Sequence, residues 1–105
     1  MSDISEPNQP TMTVIPSQNS LLVQLRNRPG RYAVLFYCMV VIGRAEQRTC
    51  LREPNPYKRD VLEARTTFSG LATYTEYNVQ GWIVNNQSIA GPNATKTVLT
   101  LPKSK

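Results

Sequence analysis

The sequence contains no histidine among its 105 residues. Histidine is the commonest general base and the usual nitrogen ligand of zinc, so its absence also excludes Ser-His-Asp and Cys-His pairs. The five glycines are scattered and form no phosphate-binding loop. Two cysteines alone cannot complete a zinc site. We therefore expect a non-enzymatic protein that carries no metal and no cofactor.

Long apolar runs are also absent, since none reaches the ~18 residues needed to cross a bilayer. The longest run, Tyr32 to Ile42, ends at Gly43, which indicates a buried strand and not a membrane anchor. The first residues lack the basic and apolar regions of a signal peptide and so give no direct sign of export. We expect a flexible N-terminal segment at 1–9, one domain at 10–102 and a C-terminal linker at 103–105.

Short alternating or β-branched runs are separated by Pro, Gly, Asn and Ser, and no useful 3.6-residue period is present. This pattern predicts seven strands. They cover Thr11 to Ile15, Ser20 to Leu25, Arg31 to Ile42, Glu46 to Leu51, Leu62 to Phe68, Glu76 to Asn85 and Thr95 to Leu101. Strands this short cannot bury a face alone, so the sequence predicts an all-β sandwich of two antiparallel sheets.

The segment from Leu71 to Val79 resembles the link between the fifth and sixth strands of fibronectin type III domains. It reads Leu-Ala-Thr-Tyr-Thr-Glu-Tyr-Asn-Val and follows Gly70, as the Gly-Leu and Thr-Glu-Tyr-x-Val elements of that family do. The resemblance implies an immunoglobulin-like, seven-stranded antiparallel sandwich with a tyrosine corner. In that corner Leu71 closes the bottom of the core, and the hydroxyl of Tyr77 satisfies an upstream backbone group.

Other segments follow the same family in order. Leu21, Val23 and Leu25 match its second strand, and Tyr32, Val34 and Phe36 match the Tyr-x-Val-x-Tyr pattern of its third. The chain departs from the family in three places: Leu25 replaces a typical tryptophan, Thr73 replaces a proline, and Gly81 replaces a β-branched residue. Gly81 is a candidate for a bulge or for a close approach by a neighbouring backbone. Trp82 is expected to face outward.

Cys38 and Cys50 lie on the third strand and on its expected hairpin partner, which favours a disulfide between them. The alternative is a pair of buried free thiols, because free cysteine is among the most buried residue types. Asn86-Gln-Ser88 and Asn93-Ala-Thr95 both satisfy the N-glycosylation rule, and both lie in or beside the loop between the last two strands. Together these features favour an extracellular or cell-surface location, and an intracellular muscle-type domain would keep both cysteines reduced.

The net charge is +5, and six arginines against one acid occur between Arg26 and Arg52. In the fold that the resemblance implies, the loop between strands two and three, the loop through Lys58 and Arg59, and the loop from Asn85 to Pro92 share one end. The residues of this predicted basic cap are Arg26, Arg28, Arg31, Lys58 and Arg59. Such a cap suits a sulfated glycan or an acidic protein surface, and the alternative is a solvated surface whose charges serve solubility.

These features predict a non-catalytic extracellular binding or adhesion module of a receptor or matrix protein. Its partners would be a protein, neighbouring domains or a sulfated glycan. The alternative is a passive spacer in a multidomain protein, either extracellular or of the intracellular muscle type. No nucleic acid partner is expected, because the aromatic residues are few and do not interleave with the arginines. The Arg-Gly-Asp triplet, the family's best-known integrin-binding device, is absent.

Overall fold

A computed structural model describes residues 9–27, 34–43, 46–53, 62–85 and 88–103 of the chain. Its seven strands are β1 (Thr11–Pro16), β2 (Leu21–Asn27), β3 (Val34–Ile42), β4 (Glu46–Arg52), β5 (Leu62–Phe68), β6 (Glu76–Asn85) and β7 (Ala94–Leu99). The predicted strands agree with these bounds to within two or three residues. The predicted domain limits at residues 10 and 102 stay a prediction.

The strands form two antiparallel sheets. The three-stranded sheet has the order β1-β2-β5, and the four-stranded sheet has the order β4-β3-β6-β7. In the larger sheet β3 pairs with β4 and with β6, and β6 pairs in turn with β7. β6 is the longest of the seven strands. The all-β sandwich of two antiparallel sheets that the strand pattern predicted is confirmed.

The core lies between the two sheets and follows the two-residue period of each strand. Leu21, Val23 and Leu25 are fully buried, as their alternation along β2 predicted. Met12 is buried and Val14 packs against the core, so these two residues form the inward side of β1. The other members of the core cluster are Tyr37, Met39, Val41, Phe68, Leu71, Tyr77, Val79, Ile83 and Ala94.

β3 contains an irregularity that the sequence pattern did not reveal. Its register against β6 shifts between Val34 and Phe36, so that an extra residue is inserted there. Beyond this bulge Tyr37 is in the core, whereas Phe36 is half-buried and pairs with Val84 on the outer side. The sequence pattern does not reveal which face Phe36 occupies, because a strict two-residue count fails across an inserted residue.

β3 is covered on both of its faces. Tyr37, Met39 and Val41 face the core, while Cys38 and Val40 on the opposite face are also buried. Val40 pairs with Arg48 on one side and with Gln80 on the other. The long side chains of these two neighbours explain how a residue on the solvent side of a sheet loses its exposure.

Gly81 is the site of a close approach, but the approaching group is a side chain. β6 keeps its register with β3 and β7 through Gly81, so there is no bulge at this position. A β-carbon added at Gly81 would lie 2.6 Å from Cδ2 and 3.1 Å from Cδ1 of Leu25. Two of the three departures from the family pattern, Leu25 and Gly81, thus belong to one packing arrangement. In it Leu25 occupies the space that a side chain at position 81 would need.

Gly81→Val is expected to lower the free energy of unfolding by about 1–3 kcal/mol, because the new methyl groups overpack a fully buried leucine. Urea unfolding followed by circular dichroism measures this change. In a Leu25→Ala background the same substitution should cost much less, since the valine then fills the vacated space.

Leu21→Ala provides the matched control, because Leu21 lies four residues from Leu25 on β2, roughly 13 Å away at the usual strand rise. Its effect should add to that of Gly81→Val. If Gly81→Val costs as much in the Leu25→Ala background as in the unmodified chain, the packing arrangement is contradicted.

Candidate functional site

One end of the sandwich, here called the loop end, is where β2, β4 and β6 finish and β3, β5 and β7 begin. Arg26 is exposed near the end of β2, where it pairs with Glu63 on the outer side of the three-stranded sheet. Arg52 is exposed at the end of β4 and pairs with Phe36 on the outer side of the other sheet. The loop end therefore presents an arginine on each outer face.

Hydrogen bonds of buried polar residues fix the structure at the loop end. The hydroxyl of Tyr37 donates to Oε1 of Glu53 at 2.8 Å, and both residues are buried. Oδ1 of Asn85 accepts from the backbone N–H of Ile89 at 2.9 Å, and the backbone N–H of Asn85 donates to the carbonyl of Ile89 at 3.0 Å. These contacts fix the beginning of the connection between β6 and β7.

Two of the seven predicted cap and glycosylation residues lie within the described part of the chain. Arg26 lies at the loop end, and Asn93 lies exposed immediately before β7. The other predicted cap and glycosylation residues, Arg28, Arg31, Lys58, Arg59 and Asn86, lie outside the described residues. The basic cap and the use of both sequons therefore stay predictions.

Cys38 and Cys50 form a disulfide across the β3–β4 ladder. They are direct partners in the register, with a Cα–Cα distance of 4.0 Å and an S–S distance of 2.11 Å. Cys38 is buried, whereas Cys50 is exposed on the edge strand. The bond therefore lies on the outer face of the four-stranded sheet and joins the edge strand to its neighbour, outside the core.

The same outer face carries partly covered apolar side chains. Trp82 pairs with Cys38, and Phe36 pairs with Val84 in the adjacent position of the ladder. All three aromatic or aliphatic side chains, Phe36, Trp82 and Val84, are half-buried, and we call them the outer apolar strip. As predicted, Trp82 faces away from the core, since its neighbours Gly81 and Ile83 are buried.

The opposite end of the sandwich contains a dense hydrogen-bonded link between β5 and β6. The hydroxyl of Tyr77 accepts from the backbone N–H of Ala72 at 2.8 Å, while the ring is buried. Leu71 is buried, its N–H donates to the carbonyl of Asn19 at 2.9 Å, and its own carbonyl accepts from Nδ2 of Asn19 at 2.9 Å. This geometry is that of a tyrosine corner, and it ties the crossover to the β1–β2 turn.

Two searches of known proteins by sequence give nothing: no family model matches, and no curated protein matches. Solved structures do match. Astrotactin-2, described as a vertebrate-specific, perforin-like membrane protein involved in neuronal development, has a TM-score of 0.77 over 99% of this chain at 13% identity. The FN1-FN3 domains of chicken CNTN1 match with a TM-score of 0.67 over 92% of this chain at 18% identity. The fn3 domain of the human collagen alpha-1(XX) chain matches with a TM-score of 0.67 over 99% of this chain at 20% identity.

The chain has the fibronectin type III fold. It covers 94% of the collagen domain but only 24% and 31% of the astrotactin-2 and CNTN1 chains. The similarity is therefore to one domain of those two larger structures. At these identities it establishes the fold and leaves the partner to be argued from the residues of this chain.

Within this fibronectin type III fold, sequence reasoning missed Thr100. Its side chain is buried, and Oγ1 donates to the carbonyl of Ala72 at 2.7 Å and accepts from the N–H of Thr75 at 2.9 Å. Thr100 thus anchors the end of the chain after β7 to the tyrosine corner. Nothing distinguishes it in the sequence from the exposed Thr95 and Thr97 of the same strand region.

Arg52 was also missed as a residue of the loop end, because its position depends on where β4 stops. Arg48, which precedes it on the same face of β4, makes an exposed ion pair with Glu46 at 3.4 Å.

Within the described ranges there is no cluster of three metal-ligating side chains. The described part of the chain also contains no helix long and apolar enough to cross a membrane.

Proposed function

We propose that this chain is a non-catalytic extracellular module of a larger cell-surface or matrix protein, and that its loop end contacts a protein or a sulfated glycan. The fibronectin type III fold is generally used as a non-catalytic module. The disulfide between Cys38 and Cys50 carries the proposal, because such bonds persist in oxidising compartments and are rare in the cytosol. The similarity to astrotactin-2, a membrane protein, supports the same location.

The loop end is favoured as the contact surface because of its charge. Arg26 and Arg52 are exposed there, and the carboxylate of Glu53 is buried and accepts from Tyr37. Residues 28–33 connect β2 to β3 and residues 53–61 connect β4 to β5, so the other four cap residues belong by sequence to the connections that start from this end. A cluster of cations attracts anionic partners and speeds their association.

A heparin column provides a direct test with a defined sulfated glycan. The variant Arg28→Ala/Arg31→Ala/Arg59→Ala is expected to elute at lower salt than the unmodified chain, because it loses sulfate contacts that depend on salt. The matched control is Arg48→Ala/Lys96→Ala/Lys103→Ala, three exposed cations away from the loop end. Both variants carry a net charge of +2, which is the +5 of the chain minus three.

Elution of the two variants at the same salt concentration would show that only net charge matters, and it would reject the basic cap. The second candidate, a passive spacer, would then be preferred.

The passive spacer is favoured by the exposed apolar side chains at the end of the sandwich opposite the loop end. Tyr74 is 65% exposed and Leu101 is 46% exposed, and the N–H of Tyr74 donates to the carbonyl of Leu101 at 3.1 Å. A neighbouring domain packed on this pair would be held at a set distance.

A further inference from the structure

The side chain of Asn93 lies on the outer face of the four-stranded sheet. Its Nδ2 donates to Oε1 of Gln80 at 3.2 Å, and Nε2 of Gln80 donates to Oδ1 of Asn78 at 2.8 Å. Asn78 and Gln80 alternate along β6 with the buried Val79, so both face outward. The amide nitrogen of Asn93 is therefore held on the solvent side of this sheet.

Trp82 shares this outer face with Gln80. It is two residues beyond Gln80 on β6, and residues two apart on a strand point to the same side of the sheet. β7 begins with Ala94, which pairs with Gly81. The next residue toward the loop end is Asn93 on one side of that pair and Trp82 on the other. Trp82 is the only tryptophan in the chain, and it is half-buried within the outer apolar strip.

Asn93 is also a sequon asparagine, in the triplet Asn93-Ala94-Thr95. Asn93 and Thr95 are exposed, while Ala94 between them is buried. An N-linked glycan is attached to the Nδ2 atom that contacts Gln80. The attached nitrogen keeps one hydrogen, so the bond to Gln80 can persist and orient the first sugar along the face that carries Trp82.

We propose that the first N-acetylglucosamine of a glycan on Asn93 packs against the indole of Trp82 and covers the outer apolar strip. One face of a pyranose ring presents C–H groups, and these fit the electron-rich face of an aromatic ring. The packing also removes apolar surface from water. The proposal rests on the extracellular location proposed above, because only a chain that enters the secretory pathway receives this glycan.

The test uses the chain secreted from eukaryotic cells with its glycan trimmed to a single N-acetylglucosamine. Ser88→Gly removes the other sequon, and glycine suits the positive φ of 63° at that position. Thr95→Ala in the same background gives the matched protein with Asn93 and Trp82 present but no sugar. Mass spectrometry measures the occupancy of Asn93 in each preparation.

We expect nuclear Overhauser contacts between the sugar protons and the indole, an upfield shift of those sugar protons, and a loss of acrylamide quenching of the single tryptophan relative to the Thr95→Ala protein. The glycan should also raise the midpoint of thermal unfolding. In a Trp82→Leu background this rise should shrink, because the aromatic face is gone while the apolar site remains.

Two results would overturn the proposal. One is an unoccupied Asn93 in secreted, disulfide-bonded protein. The other is an occupied Asn93 whose sugar makes no contact with the indole and leaves its quenching unchanged, which would leave the strip open to a protein partner. Neither result bears on heparin binding by the loop end, which is measured on unglycosylated protein, so failure of the binding proposal and failure of the glycan contact are separate outcomes.

Discussion

Replacement of Tyr77 by alanine is expected to lower the free energy of unfolding by about 3–5 kcal/mol, the range for removal of a large buried aromatic side chain. The ring is 5% exposed and belongs to the core cluster. Tyr77→Phe keeps the ring and removes only the hydroxyl. It should cost about 1–3 kcal/mol, because the backbone N–H of Ala72 would lose its partner in a partly buried position.

The cost of Tyr77→Phe should not be relieved by a local shift of the backbone. The carbonyl of Ala72 already accepts from Thr100, and the adjacent Leu71 is hydrogen-bonded to Asn19 on both its N–H and its carbonyl. The ring is also confined from the side of the β3–β4 turn, since a β-carbon added at Gly43 would overlap its Cε1 and Cδ1 atoms. The corner therefore has little freedom to bring another acceptor to Ala72.

Equilibrium unfolding in urea, followed by far-ultraviolet circular dichroism, measures both variants. Tyr74→Phe is the matched control, because Tyr74 lies in the same link but its side chain is 65% exposed. It should change the free energy of unfolding by less than about 0.5 kcal/mol. A Tyr77→Phe protein as stable as the control would show that the hydroxyl contact adds nothing. Heparin binding by the folded fraction should be the same in all three variants, since the corner is at the end opposite the arginines.

Features of the fold that depend on a regular two-residue period could be predicted from the sequence. Leu21, Val23 and Leu25 occupy alternate positions of β2, and one face of a half-buried strand must be apolar. The pairing of Cys38 with Cys50 was predictable for a related reason, because the two strands are neighbours along the chain and form a hairpin. Each of these inferences uses only local sequence and the geometry of one or two strands.

Features that depend on an irregularity or on a distant contact could not be predicted. The inserted residue before Phe36 leaves no signature in a run that is apolar on both faces, so the sequence alone does not show which residues of β3 face the core. The contact of Leu25 with Gly81 joins two strands of different sheets, and neither residue alone indicates its partner. The hydrogen bond from Asn93 to Gln80 is of the same kind, and it decides which face a glycan would occupy.

Reduction of the Cys38–Cys50 disulfide is expected to lower the free energy of unfolding by roughly 3 kcal/mol at most. The bond closes a loop with a sequence separation of 12, and a loop of this size constrains the unfolded chain by about that amount in the chain-entropy model. Urea unfolding with and without a phosphine reductant measures the difference on one and the same sequence. Trp82, opposite Cys38, gives a fluorescence signal beside the bond.

The matched control is Cys38→Val/Cys50→Thr, which places an apolar residue at the buried position and a polar one at the exposed position. Its stability should equal that of the reduced protein and should not respond to the reductant. Identical stability of the oxidised and reduced chains would contradict a constraining role for the bond.

The expected loss is smaller than the stability of an ordinary domain, which is about 5–15 kcal/mol. The reduced chain should therefore remain folded, because the core cluster and the tyrosine corner do not include either sulfur. It follows that the fold alone is compatible with an oxidising or a reducing compartment. The state of the cysteines and of Asn93 in protein isolated from its natural source, measured by intact mass before and after reduction, would then distinguish an extracellular module from an intracellular one.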